Sequence, residues 1–107
     1  MLRNFELFDA PHVAIITTED DLGVYGAVDC GLYISTFLLA AHSLGLATAP
    51  QAALASYSSF IHDHFDIPEH RRVVAGISFG RPDLDHPTNS FRTTREHLDR
   101  AVTWHTD

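Results

Sequence analysis

Apolar positions in this chain fall into three blocks separated by polar, turn-forming stretches. After Pro11, the run His12-Val13-Ala14-Ile15-Ile16-Thr17-Thr18 is β-branched and apolar on both alternating faces, as in a strand covered on both sides. Glu19-Asp20-Asp21-Leu22-Gly23 breaks that run with acid and a turn residue. From Ala27 to Leu46 the period becomes helical. At about 100° per residue, Asp29, Thr36 and Ser43 share one narrow polar seam, with Asp29 near the helix start where it can cap or meet the dipole. A second stripe, Ala27, Gly31, Ile34, Leu38, Ala41 and Gly45, carries enough small residues for another helix to approach closely. Gly45 stops the helix, and Thr48-Ala49-Pro50 forms its exit. A second helix is expected over Ser56–Phe65, ending before Ile67-Pro68. Arg72-Val73-Val74-Ala75-Gly76-Ile77-Ser78-Phe79 is another buried strand, closed by Gly80-Arg81-Pro82-Asp83. Residues 83–94 are polar and irregular. A helical turn at Glu96–Arg100 and an extended Val102–His105 finish the chain.

These pieces make residues 1–107 a single thin domain. If it folds alone, a chain of 11.9 kDa exposes roughly 6,000 Å². The long helix has more apolar surface than two strands can cover, so a partner chain is the natural cover for the rest. The helix could span about 30 Å, the depth of a membrane's apolar layer. Asp29, His42 and the serines interrupt it and no basic flank follows, so it is expected to be a buried helix of a soluble protein, with no membrane partner.

Charge narrows the classes further. Fourteen acids against seven basic residues leave a formal charge of −7, which disfavours phosphate backbones, so no nucleic-acid partner is expected. Cys30, the single cysteine, has no partner for an internal disulfide and no base at sequence range, and is expected to be an inert core thiol. No signal peptide is visible in Met1-Leu2-Arg3-Asn4-Phe5-Glu6, and the expected location is cytoplasmic. Among the eight histidines, His62 and His64 are two apart and diverge by about 200° on a helix. No HExxH or Cys/His cluster is present, so no metal is expected.

The segments Ala10-Pro11-His12-Val13, Asp29-Cys30-Gly31, Leu38-Leu39-Ala40-Ala41, Gly45-Leu46-Ala47-Thr48-Ala49-Pro50-Gln51-Ala52, Gly76-Ile77-Ser78-Phe79-Gly80-Arg81-Pro82-Asp83 and Asn89-Ser90-Phe91-Arg92-Thr93-Thr94-Arg95-Glu96 follow one another along the chain. In that order they resemble the nitroreductase family of flavoenzymes. The resemblance covers the C-terminal half of the family's usual length. It implies an α+β fold, a half domain with a mixed sheet of buried strands flanked by the long helix and the shorter one. It also implies an FMN-dependent oxidoreductase that passes hydride from NADH or NADPH to nitroaromatic or quinone-like acceptors. The family is dimeric with flavin at the interface, so the implied partners are a second copy or the N-terminal half supplied in trans. That half carries an Arg-Ser-x-Arg phosphate segment, which these residues lack, and a truncated or split form is the expectation.

By the same resemblance, Pro50, Gln51, Ala52 and Ala53 lie along the flavin ring. The chemistry there asks for a backbone N–H near the flavin N5 nitrogen and small side chains, because the cofactor carries the hydride. Arg92 matches the family's C-terminal phosphate-binding residue, with Arg95 a lesser candidate. A guanidinium fork suits phosphate oxygens. Trp104 is expected to anchor a partner chain. The competing readings at this point are a non-catalytic dimerisation or small-ligand-binding module, and a small α/β binding domain unrelated to flavins.

Overall fold

In the computed structural model, which describes residues 2–106, three strands form one antiparallel sheet. They are β1 (His12–Glu19), β2 (Ala47–Gln51) and β3 (Arg71–Gly80), in the order β1-β3-β2. Both outer strands run against β3 and therefore parallel to each other. The helix α1 (Gly23–Ser43) carries the chain from β1 to β2 past the central strand, a split βαβ arrangement. The α+β class is as expected, whereas the pairing is antiparallel throughout instead of mixed.

The β-branched runs became strands because each of their faces meets a separate layer. On one side, Ile16 and Ile77 pack with Cys30 of α1, joined by Ala14, Ile34, Phe37, Leu38 and Val74. On the other, Val73 meets Leu54 and Ile61, with Val13, Ile15, Ile67 and Leu7 around them. The register against β1 slips between Ile16 and Thr17: Ile16 lies opposite Ala75, but Thr17 lies opposite Val73. Val74 is the extra residue of a β-bulge, and it reverses the alternation of the strand. Val74 thus joins the α1 side with Ile77, and Val73 faces the opposite cluster.

α1 begins four residues before the expected Ala27, after a 3-10 turn at Asp20–Leu22. Asp29 consequently lies in the second turn, and no side chain caps the helix start. The C-terminus follows the expected stop. Gly45 takes φ +76°, the Leu46 N–H donates to Ala41 O and the Gly45 N–H to His42 O, each at 3.0 Å. Thr48-Ala49-Pro50 is part of edge strand β2, where a proline is tolerated, instead of an irregular exit. A 3-10 helix at Ala52–Tyr57 precedes α2 (Ser58–Phe65), which closes with Asp66 in the left-handed region at φ 51°. The short α3 (Leu98–Ala101) is the last element, and Val102–His105 pairs with no strand.

Leu54, in the 3-10 helix, sits directly over Gly76 of β3. A Cβ on Gly76 would come within 2.3 Å of Leu54 Cδ1. Gly76→Ala should push a buried leucine off its seat and cost about 1–3 kcal/mol in urea unfolding; an unchanged midpoint would show that Leu54 moves freely.

α1 is covered only on its sheet side. Cys30, Ile34, Phe37, Leu38 and Ala41 face the sheet. Half of the stripe read as a docking surface for another helix is therefore spent within the chain. The outward stripe is a different one, Val24, Val28, Gly31, Leu32, Ser35 and Leu39, with Val24 77% and Leu39 73% exposed. By length and composition α1 could cross a membrane, but it lies across a sheet and carries Asp29. The described residues expose 8710 Å² against the roughly 6,000 Å² of a self-contained chain of this mass. The radius of gyration is 16.6 Å, where about 13 Å is usual for such a length. Part of this chain's core is missing its cover.

Candidate cofactor site

The junction between β2 and the 3-10 helix concentrates the most constrained chemistry. Pro50 is exposed on the edge strand, and Gln51 ends that strand at φ −133°, ψ 93°. Ala52 and Ala53 then open the 3-10 helix, where first-turn N–H groups have no intrahelical acceptor. Ala52 is exposed and Ala53 half-buried, so these first-turn donors have small side chains beside them.

Gln51 itself is turned inward and only 2% exposed. Its Nε2 donates to the Asn4 carbonyl oxygen at 2.6 Å, and its Oε1 accepts from the Ser78 hydroxyl. The Asn4 carbonyl can only accept, which fixes the orientation of the amide. Ser78 is 1% exposed and lies opposite Ala49 in the ladder, while Gln51 lies opposite Gly76. The side chain of Gln51 is thus committed within the protein. A polar Ser78 within the apolar run of β3 was the sequence signal for this buried pair; the part played by Asn4 had none, since it comes from a turn 47 residues away.

Arg92 lies in the exposed C-terminal segment, with Nη1 donating to the carbonyls of Asn89 at 3.1 Å and Phe91 at 3.0 Å. Arg95 likewise bonds to its neighbours Thr93 and Thr94. Neither is brought into the groove nearest β2. That groove, about 650 Å³, opens between Phe8–Pro11, Ala47–Ala49, Ser78–Asp83 and Thr88. Arg81 lines it with no ion pair or side-chain hydrogen bond among the described residues, a cation for which no role was expected.

The remaining candidates have ordinary surroundings. Cys30 is buried, its Sγ 3.9 Å from Thr17 O, and no base adjoins it. His62 Nδ1 is bound to Ile67 O at 2.9 Å at the end of α2, and His64 stacks on Phe60. Among the described residues no three His, Cys, Asp or Glu side chains converge on a metal position. Trp104 is 69% exposed.

A sheet crossed by one long apolar helix, with a 3-10 turn at the end of its edge strand, makes an α+β fold in which the outer face of that helix is uncovered. The chain belongs to the nitroreductase family, whose family model matches residues 1–81. It is 41% identical to a 4-nitrobenzoate reductase of Nocardioides sp. (strain LMS-CY), over 95% of this chain and 41% of that protein. It is 38% identical to a 4-nitrobenzoate reductase of Pseudomonas putida, over 87% of this chain and 41% of that one. The crystal structure of the FMN-dependent nitroreductase NfnB from Mycobacterium smegmatis, in complex with NADPH, superposes with a TM-score of 0.90 at 30% identity. That match covers 97% of this chain and 46% of the NfnB chain. The chain therefore spans less than half the length of these relatives.

The chemistry at Ala52 and Ala53, backbone donors beside small side chains, is compatible with a flat ring such as that of FMN. Arg92 is engaged with the carbonyls of Asn89 and Phe91, and one guanidinium would fall short of what a doubly charged phosphate asks for.

Proposed function

We propose that residues 1–107 act as one domain, the C-terminal half of an FMN-dependent NAD(P)H nitroreductase, working as a homodimer or with an N-terminal half supplied in trans. The observation that carries this reading is the β2 junction, where Pro50 and Gln51 lead into the backbone donors of Ala52 and Ala53, set beside small side chains. Those residues would hold the ring, and Arg92 would swing from Asn89 and Phe91 to the phosphate. FMN, when bound, accepts hydride from NAD(P)H and delivers reducing equivalents to the acceptor. The chain's own part is to bind, orient and exclude water. Nitroaromatic acids are the acceptor class favoured by the two 4-nitrobenzoate reductases among its relatives. Because such an enzyme draws on NAD(P)H, its place is the cytoplasm.

The test is colour and turnover. The assembled protein should absorb at about 450 nm, as oxidised flavin does, and should oxidise NADPH or NADH when 4-nitrobenzoate is added. A colourless protein, inert even with added FMN and both halves, would favour the other reading, a non-catalytic dimerisation or small-ligand module. Arg92 engaged on its own backbone is the observation on that side.

Arg92→Ala in the flavin-binding assembly should weaken FMN by about 1.5–3 kcal/mol, the scale of a charge-assisted hydrogen bond. Arg95→Ala should matter less. Equal affinities for wild type and Arg92→Ala by fluorescence titration would remove Arg92 from the site.

A further inference from the structure

We infer that the Ser78 hydroxyl, acting through the Gln51 side chain, is a positioning group for the donors at Ala52 and Ala53. The inference deepens the flavin reading and rests on it for the identity of the ligand. Gln51 is both the last residue of β2 and the residue from which the 3-10 helix departs. Its side chain is held at both ends, by Ser78 on the central strand and by the Asn4 carbonyl of the N-terminal turn. Both Gln51 and Ser78 are almost wholly buried, so water cannot readily replace either bond. Immediately after the donors, Leu54 fills the space over Gly76. The turn bearing Ala52 and Ala53 is thereby fixed before it by a polar clamp and after it by an apolar one.

Ala52 and Ala53 have no side-chain polar atom with which to fix themselves, so the direction of their N–H groups depends on what holds residues 51 and 54. A donor placed in advance binds without first being ordered. The clamp includes Asn4, so it ties the N-terminal turn of this chain to the ring end of the site.

The experiment is ¹⁵N relaxation on the full chain, and an FMN titration followed by NMR on that chain assembled with its N-terminal half supplied in trans, comparing wild type, Ser78→Ala and Ser78→Thr. In wild type, Ala52 and Ala53 should show order parameters near about 0.85, falling below about 0.6 in Ser78→Ala, while Ile16 and Ile77 remain rigid. The FMN dissociation constant, read from the Ala52 and Ala53 amides, should rise about tenfold, as for one lost hydrogen bond. Ser78→Thr keeps the hydroxyl and should restore both readings. If Ser78→Ala does not fold, Gln51→Glu serves instead. It keeps an acceptor for Ser78 and loses the donor to Asn4, and it should loosen the same two amides. Unchanged order parameters in the variant that folds would overturn the inference. Loosened amides with unchanged FMN affinity would also overturn it, by reducing the clamp to a structural role. A wild type in which FMN shifts neither amide would instead defeat the flavin reading, while the order parameters still decide whether the clamp orders the turn.

Discussion

Titrated with FMN, the isolated 107-residue chain should bind roughly three to six orders of magnitude more weakly than a full-length relative, and its NAD(P)H-dependent nitroreduction should be slight. In the proposed site the ring end is formed by Ala52 and Ala53, which open the 3-10 helix. The phosphate end offers Arg92, itself engaged with Asn89 and Phe91, and no Arg-Ser-x-Arg segment occurs in these residues. Two or three missing charge-assisted contacts at about 1.5–3 kcal/mol each account for that loss. The measurement is flavin fluorescence, with NADPH oxidation corrected for free FMN. Supplying the N-terminal half should restore binding and turnover together. Robust turnover by the chain alone would show that a second copy rebuilds the phosphate site from residues of this same sequence.

The second large effect concerns assembly. Leu39→Asp places a carboxylate at the C-terminal end of the outward stripe of α1, where Leu39 is 73% exposed in the single chain. If a partner covers that stripe, the substitution buries an unpaired charge and should shift the protein to a monomer of about 12 kDa at micromolar concentration. Light scattering checks this directly. A wild type already monomeric at those concentrations would leave the stripe uncovered and count against the proposed assembly. Ala41→Phe is not an equivalent probe, because Ala41 faces its own sheet and overpacking there would damage the fold itself.

What the sequence made legible follows from which forces act locally. The β-branched runs at His12–Glu19 and Arg71–Gly80 announced strands, and Gly45 announced a helix end, since steric preference is a property of the residues themselves. β2 was hidden. Its five residues, Ala47-Thr48-Ala49-Pro50-Gln51, include two alanines and a proline, and they are extended because β3 offers an edge to pair with. The outward stripe of α1 was misplaced because a helix apolar nearly all round carries no signal of which side meets the sheet. At the candidate site, Pro50, Gln51, Ala52 and Ala53 were found only through resemblance. Composition cannot show that Gln51 would point inward to Asn4 and Ser78, contacts 47 and 27 residues away.

The bulge makes Val74 the one position of β3 that its ladder with β1 can lose without a change of register. On either side of that residue the strand runs in opposite phase, Ile77 serving the α1 layer and Val73 the layer of Leu54 and Ile61. Deleting Val74 leaves Ile16 opposite Ala75 and Thr17 opposite Val73, now as consecutive pairs of a regular ladder. Arg71, whose guanidinium binds Glu19 and both the hydroxyl and carbonyl of Thr17, keeps its partners. What is lost is the Val74 contact with the α1 layer. This strand carries one spare letter.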